Sequence, residues 1–377
     1  METEQRIWNE KLGWKTTLPG TFIDAPQVAL VFGSTRYMQL HHIYHEIRTF
    51  YPHAYIIGCS TAGEISGTRV YDDSIVVTAI EFEHTQVKAA CVKNSQASDS
   101  KQVGQRLAQL FPEEGLTHLL VFAEGLNMNG TELIKGLIGS LPEHVAVTGG
   151  LAGDGDRFQE TFIMANGLAE RDTIAALGLY GNRLKVGYGS RGGWNPFGPE
   201  RLVTRSKGNV LYEMDGRSAL SLYKLYLGDY ANGLPATGMQ FPLNLRNQES
   251  ETPVVRAILG VNEAEESLVF AGDIPEGTYV RLMKANIDRL VGGAITAAEI
   301  SSVGNEQPEL ALLISCVARK LVLRQRTEEE VEGVQQVLGG KTLLTGFYSY
   351  GEICPHKTGA KSEFHNQTMT ITTLSEV

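Results

Sequence analysis

Cysteine is scarce in this chain: four residues among 377, with no CxxC pair. That scarcity excludes a disulfide framework or a zinc site defined by spacing. It leads us to expect reduced thiols in a cytoplasmic protein. Positive charge is also short, and the formal net charge is −10. A broad electrostatic footprint for nucleic acid or an anionic membrane is therefore not expected. No apolar run approaches the roughly 20 residues a membrane helix needs, so membrane insertion is not expected either. The N-terminal segment lacks the basic-then-apolar pattern of a signal peptide. Familiar catalytic signatures are missing too. No G-x-G-x-x-G opens a helix, and there is no G-x-x-x-x-G-K-[ST], G-x-S-x-G or HExxH.

What is present is a repeated loop. Gly58-Cys-Ser-Thr-Ala-Gly63-Glu64-Ile65 and Gly346-Phe-Tyr-Ser-Tyr-Gly351-Glu352-Ile353 share one spacing near opposite ends of the chain. A shorter relative is Thr148-Gly-Gly-Leu-Ala-Gly153-Asp154. In each, an apolar strand is expected to end before a glycine, with a carboxylate shortly after it. A glycine at a strand end permits positive φ or close backbone approach. The carboxylate either fixes the turn by accepting backbone N–H groups or receives a ligand's amine or hydroxyl. Repetition favours the first role, because a repeated fold repeats its structural carboxylates.

The element order repeats around these loops. Strands are expected at 27–33, 54–57, 74–82 and 86–92, with a helix running through Arg48 and stopped by Pro52. A helix at 101–110, a strand at 117–123, a helix at 131–141 capped by Thr131 or Asn129, and strands at 145–148, 159–165, 173–180 and 184–189 follow. A third unit is a strand at 310–317, a helix at 327–338 opened by Thr327 and three glutamates, then strands at 342–348 and 367–374. Between the second and third units stand a glycine-proline loop at 191–199, a strand at 209–216, a helix at 218–227, a meander at 241–270 broken at 247–252, and a helix at 286–300. The pattern implies an α/β fold, with mixed-sheet layered domains built from repeated strand-helix-strand-strand units. A boundary near 200–220 divides a first domain, 27–215, from a second, 216–375.

The candidate ligand-binding residues cluster at the strand ends: Ser60, Thr61, Glu64, Gly150, Asp154, Tyr348, Tyr350, Glu352, His365 and Asn366. Small hydroxyls, tyrosines and carboxylates suit a small polar ligand in a preformed pocket. His41 and His45 share one helical face, with His42 beside them. His356 and His365 flank the last loop. These five histidines are the candidate metal ligands, and a haem axial ligand needs no spacing motif. Cys354 near His356 is the candidate nucleophile–base pair should the chain be an enzyme.

Taken in order, the loops at 58–65, 149–154 and 346–353, with Val210-Leu-Tyr-Glu-Met-Asp-Gly216 and His365-Asn-Gln-Thr-Met-Thr370, resemble the FIST (F-box and intracellular signal transduction) family over about residues 27–375. The resemblance implies a non-catalytic sensory module for a small-molecule ligand. It also points to a bacterial subset of haem-binding nitric-oxide sensors, in which haem is the cofactor. The other ligands it implies are amino acids or similar small polar molecules. With no kinase, GGDEF or F-box pattern present, it implies signalling through a separate partner, a histidine kinase or a cyclic-di-nucleotide enzyme, and leaves a homo-oligomer open.

Overall fold

Three copies of one unit build the body of the molecule. The computed structural model describes every residue except 23–24, 247–253, 306 and 358, so the break expected at 247–252 lies outside the described residues. After β1 (Glu2–Asn9), the first copy runs β2 (Val28–Gly33), α1 (His41–Phe50), β3 (Tyr55–Ser60), β4 (Glu64–Ser66), β5 (Ile75–Glu81) and β6 (Gln86–Lys93). The second runs α2 (Ser100–Ala108), β7 (Leu116–Ala123), α3 (Gly130–Ile138), β8 (Ala146–Leu151), β9 (Ile163–Ala165), β10 (Thr173–Tyr180) and β11 (Leu184–Arg191). The third runs α4 (Ile287–Ser301), β12 (Leu310–Cys316), α5 (Val317–Leu323), α6 (Thr327–Leu338), β13 (Leu343–Ser349), β14 (Gly351–Pro355), β15 (Ser362–His365) and β16 (Met369–Glu376). β2, β7 and β12 are the apolar runs, as strands covered on both faces must be. The side chains of Asp99 and Asn129 cap α2 and α3 by accepting backbone N–H groups.

Each copy contributes a parallel pair, β2/β3, β7/β8 and β12/β13. The short strand after each glycine loop then leaves its own sheet. β4 pairs with β13, β9 with β3 and β14 with β8. At the opposite edge β6 joins β10, β11 joins β16, and β1 joins β5. Three six-stranded mixed sheets result, interlocked in a ring. Both halves of the 215/216 division contribute to this body. The sequence reading missed β1, whose run Glu-Thr-Glu-Gln looks like a solvated terminus. Gln5 is in fact buried and donates to Thr78 Oγ1 at 3.1 Å and to the Leu344 carbonyl at 3.2 Å.

The repeated glycines lie within strands β3, β8 and β13; Gly346 was expected inside its strand, whereas Gly58 and Gly149 were expected just beyond theirs. The reason is close approach. A Cβ on Gly58, Gly149 or Gly346 would fall within 2 Å of the carbonyl oxygen of Val31, Val121 or Leu313, the register partner in the adjacent parallel strand. One residue further on, the copies differ: Cys59, Gly150 and Phe347. All three are buried, and the Phe347 ring meets Phe32 at 4.8 Å and Phe122 at 6.0 Å between centroids. A Cβ on Gly150 would lie 2.8 Å from Ile314 Cγ2 and 3.4 Å from the Phe347 ring, so one large side chain takes space that its counterpart leaves free.

Between β11 and α4 the chain leaves the body and builds an insert. Its strands begin with Asn195–Lys207 and end with Tyr279–Lys284, and its helix is Ala219–Leu227. Strand Asn195–Lys207 replaces most of the expected glycine-proline loop, because Pro196 and Asn195 pair against Met283 and Lys284. The insert has its own apolar core, including Val203, Leu211, Tyr223, Leu268, Phe270 and Leu282.

Candidate functional site

The three loops meet where the parallel pairs end, the position at which α/β sheets commonly hold ligands. Two of their carboxylates are turn-formers. Glu64 accepts from Thr61 Oγ1 at 2.5 Å and from Ser74 Oγ at 2.6 Å. Glu352 accepts from Ser349 Oγ at 2.7 Å and from the N–H and hydroxyl of Thr368 at 3.1 and 2.9 Å. Thr61 and Ser349 are equivalent by loop spacing, and Ser74 and Thr368 both immediately precede a long strand. Asp154, in the shorter loop, works differently. It accepts from Thr35 Oγ1, from Arg157 Nε at 3.0 Å and from two backbone N–H groups. Desolvation pushes its pKa up, but these donors prevail and hold it below the usual value.

Burial raises Glu64 to about 8 and Glu352 to about 7, against the lowering pull of their hydroxyl donors. The native state therefore holds protons that the unfolded chain, titrating near 4.5, has released. Stability from these groups is full below about pH 4.5 and is lost as pH rises toward 7–8. Each group contributes a slope of at most about 1.4 kcal/mol per pH unit in that window. We expect the melting temperature to fall from pH 5 to pH 8, and the double variant Glu64→Gln, Glu352→Gln to flatten that fall. A variant that retains the full slope in a pH-resolved melting series would place the protons elsewhere.

The remaining predicted residues disperse. Ser60 is buried, donating to the Gly153 carbonyl at 2.8 Å and accepting from Phe162 N–H at 2.9 Å. Gly150 packs against Ile314 and Phe347, as above. Tyr348 is fully buried and donates to Glu330 at 2.7 Å, so it belongs to the core rather than to a pocket. His365 is buried and gives its Nε2 hydrogen to the Cys354 carbonyl at 2.8 Å, and burial lowers its pKa to about 4. Asn366 is 1% exposed, and neither of its amide atoms has a partner among the described residues. His41, His42 and His45 stand on the exposed face of α1. His356 is half-buried. Among the described residues, no three His, Cys, Asp or Glu side chains are grouped to hold a metal ion. The Cys354 thiol faces the carbonyls of Pro355 and Gly189, and burial raises its pKa.

Two hollows open at the strand ends. One, of about 590 Å³, is lined by Asp72, Arg157, Lys320 and Arg324, with the buried Thr61 and Glu64 at its base. Several of its charges are already satisfied internally: Lys320 pairs with Asp72, and Arg157 with Asp154. The other, of about 300 Å³, lies beneath Tyr350. Its floor comes from the body, including Asn127, Leu151, Phe158 and Val317, and its roof from the insert, including Asn209, Met239, Leu259 and Phe270. Tyr350 stacks on Phe158 with centroids 4.3 Å apart, donates to the Gly155 carbonyl and accepts from Phe158 N–H, both at 3.2 Å. The insert residues of this roof escaped sequence reasoning, since nothing local marks a strand as a lid.

A haem needs an axial donor on a cavity wall. No histidine lines either strand-end hollow, nor three further hollows among the described residues. In the cavity beneath Tyr350 the phenol is spent on Gly155 and Phe158, and burial keeps the Cys316 thiol protonated. The donors lining these hollows do not fit a histidine-ligated haem.

The described helices include none long and apolar enough to cross a membrane. Among curated proteins, an uncharacterised protein of Methanocaldococcus jannaschii is 24% identical over 351 residues, covering 82% of this chain and 66% of its own length. The chain thus spans about two thirds of the relative it matches. Among solved structures, cyanuric acid hydrolase from A. caulinodans aligns over 92% of this chain and 89% of its own, at 8% identity and a TM-score of 0.35, too low to carry an argument. The FIST N domain matches residues 27–217 and the FIST C domain residues 219–355. With most of its length covered by these two matches, the chain belongs to the FIST family, whose domains are sensory domains of signalling proteins.

Proposed function

We propose that this protein is a non-catalytic sensor whose small organic ligand occupies the cavity beneath Tyr350. The supporting observation is that this cavity has its floor on the three-copy body and its roof on the insert. A sensor transmits only if its ligand binds two conformations unequally. A ligand touching both parts favours the arrangement in which they close on it, and the insert then presents a changed surface to a separate signalling enzyme such as a histidine kinase or a cyclic-di-nucleotide enzyme. Mostly apolar walls with the amides of Asn127 and Asn209 suit an amino acid with an apolar side chain, or a similar small amphipathic molecule, better than haem.

A thermal-shift panel of amino acids and related molecules tests this. A ligand at about 100 times its Kd adds about 2.7 kcal/mol to the native state, a shift of several degrees. Leu259, 48% exposed at the cavity, is the residue to enlarge. Leu259→Trp should abolish the shift while leaving the unliganded melting temperature nearly unchanged. A Soret band on reconstitution with haem, or a ligand shift that survives Leu259→Trp, would count against this reading.

A further inference from the structure

Two arginines are almost wholly buried, and they are treated differently. Arg319 is 0% exposed and pairs with Glu330 at 2.7 Å. Arg256 is 6% exposed and has no carboxylate within salt-bridge distance among the described residues. It ends the insert strand Val254–Arg256 and reaches toward the body. Its hydrogen bonds go to backbone carbonyls only: Phe364 at 3.0 Å, and Asp273 and Val255 both at 3.4 Å. Among the described residues, Nη2 has no acceptor. The guanidinium also sits over the Phe364 ring at 5.8 Å and against Gly272, where a Cβ would lie 2.8 Å from Nε. Its place is therefore built. A buried cation with no carboxylate in direct contact is costly; desolvation lowers its pKa to about 10, against the pull of Asp273 and Glu363 nearby.

Arg256 lines a cavity of about 480 Å³ between α3 and β15 of the body and the insert, separate from the cavity beneath Tyr350. Thr131 lines it too, and its Oγ1, buried behind that wall, has no partner among the described residues. Much of the remaining wall is apolar: Ile134, Ile138, Leu245, Val254 and Phe364. The charged wall residues are Arg256, Lys135 and Lys361 against Asp273 and Glu363, and Lys135 is paired with Glu132 at 2.6 Å just outside the wall, so the charges around the cavity balance.

We propose that this cavity is a second ligand site, taking a monocarboxylate with an apolar tail. The carboxylate accepts from Arg256 and Thr131, and the tail lies along Ile134, Ile138 and Leu245. One guanidinium among otherwise balanced charges matches a monoanion, and Asp273 with Glu363 disfavours a multiply charged phosphate. The site stands independently of the cavity beneath Tyr350.

The test is calorimetric titration of the full chain with octanoate, octan-1-ol and inorganic phosphate. Octanoate should bind at least tenfold more tightly than either of the others. Arg256→Met should weaken octanoate binding at least tenfold while keeping the far-UV circular dichroism. Should that variant not fold, Ile138→Trp, which fills the cavity without touching the arginine, must give the same loss. Leu259→Trp, in the other cavity, should leave octanoate binding unchanged. No octanoate binding, equal binding of octanol or phosphate, or octanoate binding that survives both Arg256→Met and Ile138→Trp would each overturn the proposal.

Discussion

Alanine at Gly58 is expected to prevent the chain from reaching a stable native state. The added methyl would sit 1.8 Å from the Val31 carbonyl oxygen and 2.6 Å from its carbonyl carbon. Both residues lie in central parallel strands, paired Val31 to Gly58, so neither backbone can retreat without breaking the ladder. Relief by rotating a side chain is impossible, because the obstacle is main chain. The cost is about 4 kcal/mol or more, a large share of the 5–15 kcal/mol that holds a typical domain together. Gly149 and Gly346 should behave alike, with an added penalty from φ values of 144° and 152°. Gly292 in α4 is the control. A Cβ there meets nothing within 4 Å, so Gly292→Ala should be neutral or stabilising by up to about 1 kcal/mol. Urea unfolding of the four variants decides the matter. A Gly58→Ala protein with a wild-type midpoint would mean that the strands are not so closely apposed.

The repetition behind that prediction was legible, while the way the copies join was not. Spacing in the loops at Gly58 and Gly346, together with the recurring strand–helix–strand order, exposed the units. Periodicity reports which face of an element is buried, but not which strand lies beside it. Hence nothing in Glu64–Ser66 announces that it pairs with Leu343–Ser349, nearly 280 positions away. The candidate site was legible in part for a similar reason. Tyr348 and Tyr350 look like one recognition pair in the sequence. In the structure Tyr350 stands at the bend after β13 and lines a cavity, whereas Tyr348 remains inside the sheet, facing α6. What draws Tyr348 inward is Glu330, which reads locally as one of three acids favouring a helix N-terminus. Arg256 was hidden in the same manner: Val-Val-Arg reads as a short strand with a solvated end, and only the folded arrangement shows the charge to be enclosed.

Removing Arg319 should be the second most damaging change, about 3–5 kcal/mol for Arg319→Ala. Its guanidinium donates to Glu330 at 2.7 and 3.1 Å, to the Leu290 carbonyl at 2.8 Å and to the Gly192 carbonyl. Glu330 in turn accepts from Ser315 at 3.0 Å and Tyr348 at 2.7 Å. One ion pair thus ties α5 and α6 to α4, to β12 and β13, and to the segment leading into the insert. Truncation leaves a carboxylate at 0% exposure with two hydroxyl donors and no counter-charge, and that uncompensated charge carries most of the cost. The pair itself adds much less, because both ions were stripped of water to form it. The double variant Arg319→Met, Glu330→Met should therefore recover most of the loss. Tyr348→Phe, which deletes one hydrogen bond to a charged acceptor, should cost about 1.5–3 kcal/mol. A double-mutant cycle by urea unfolding separates these contributions. If the double variant proves as unstable as the sum of the two single ones, the charge-pairing account fails. The requirement would then be the size and shape of the two side chains.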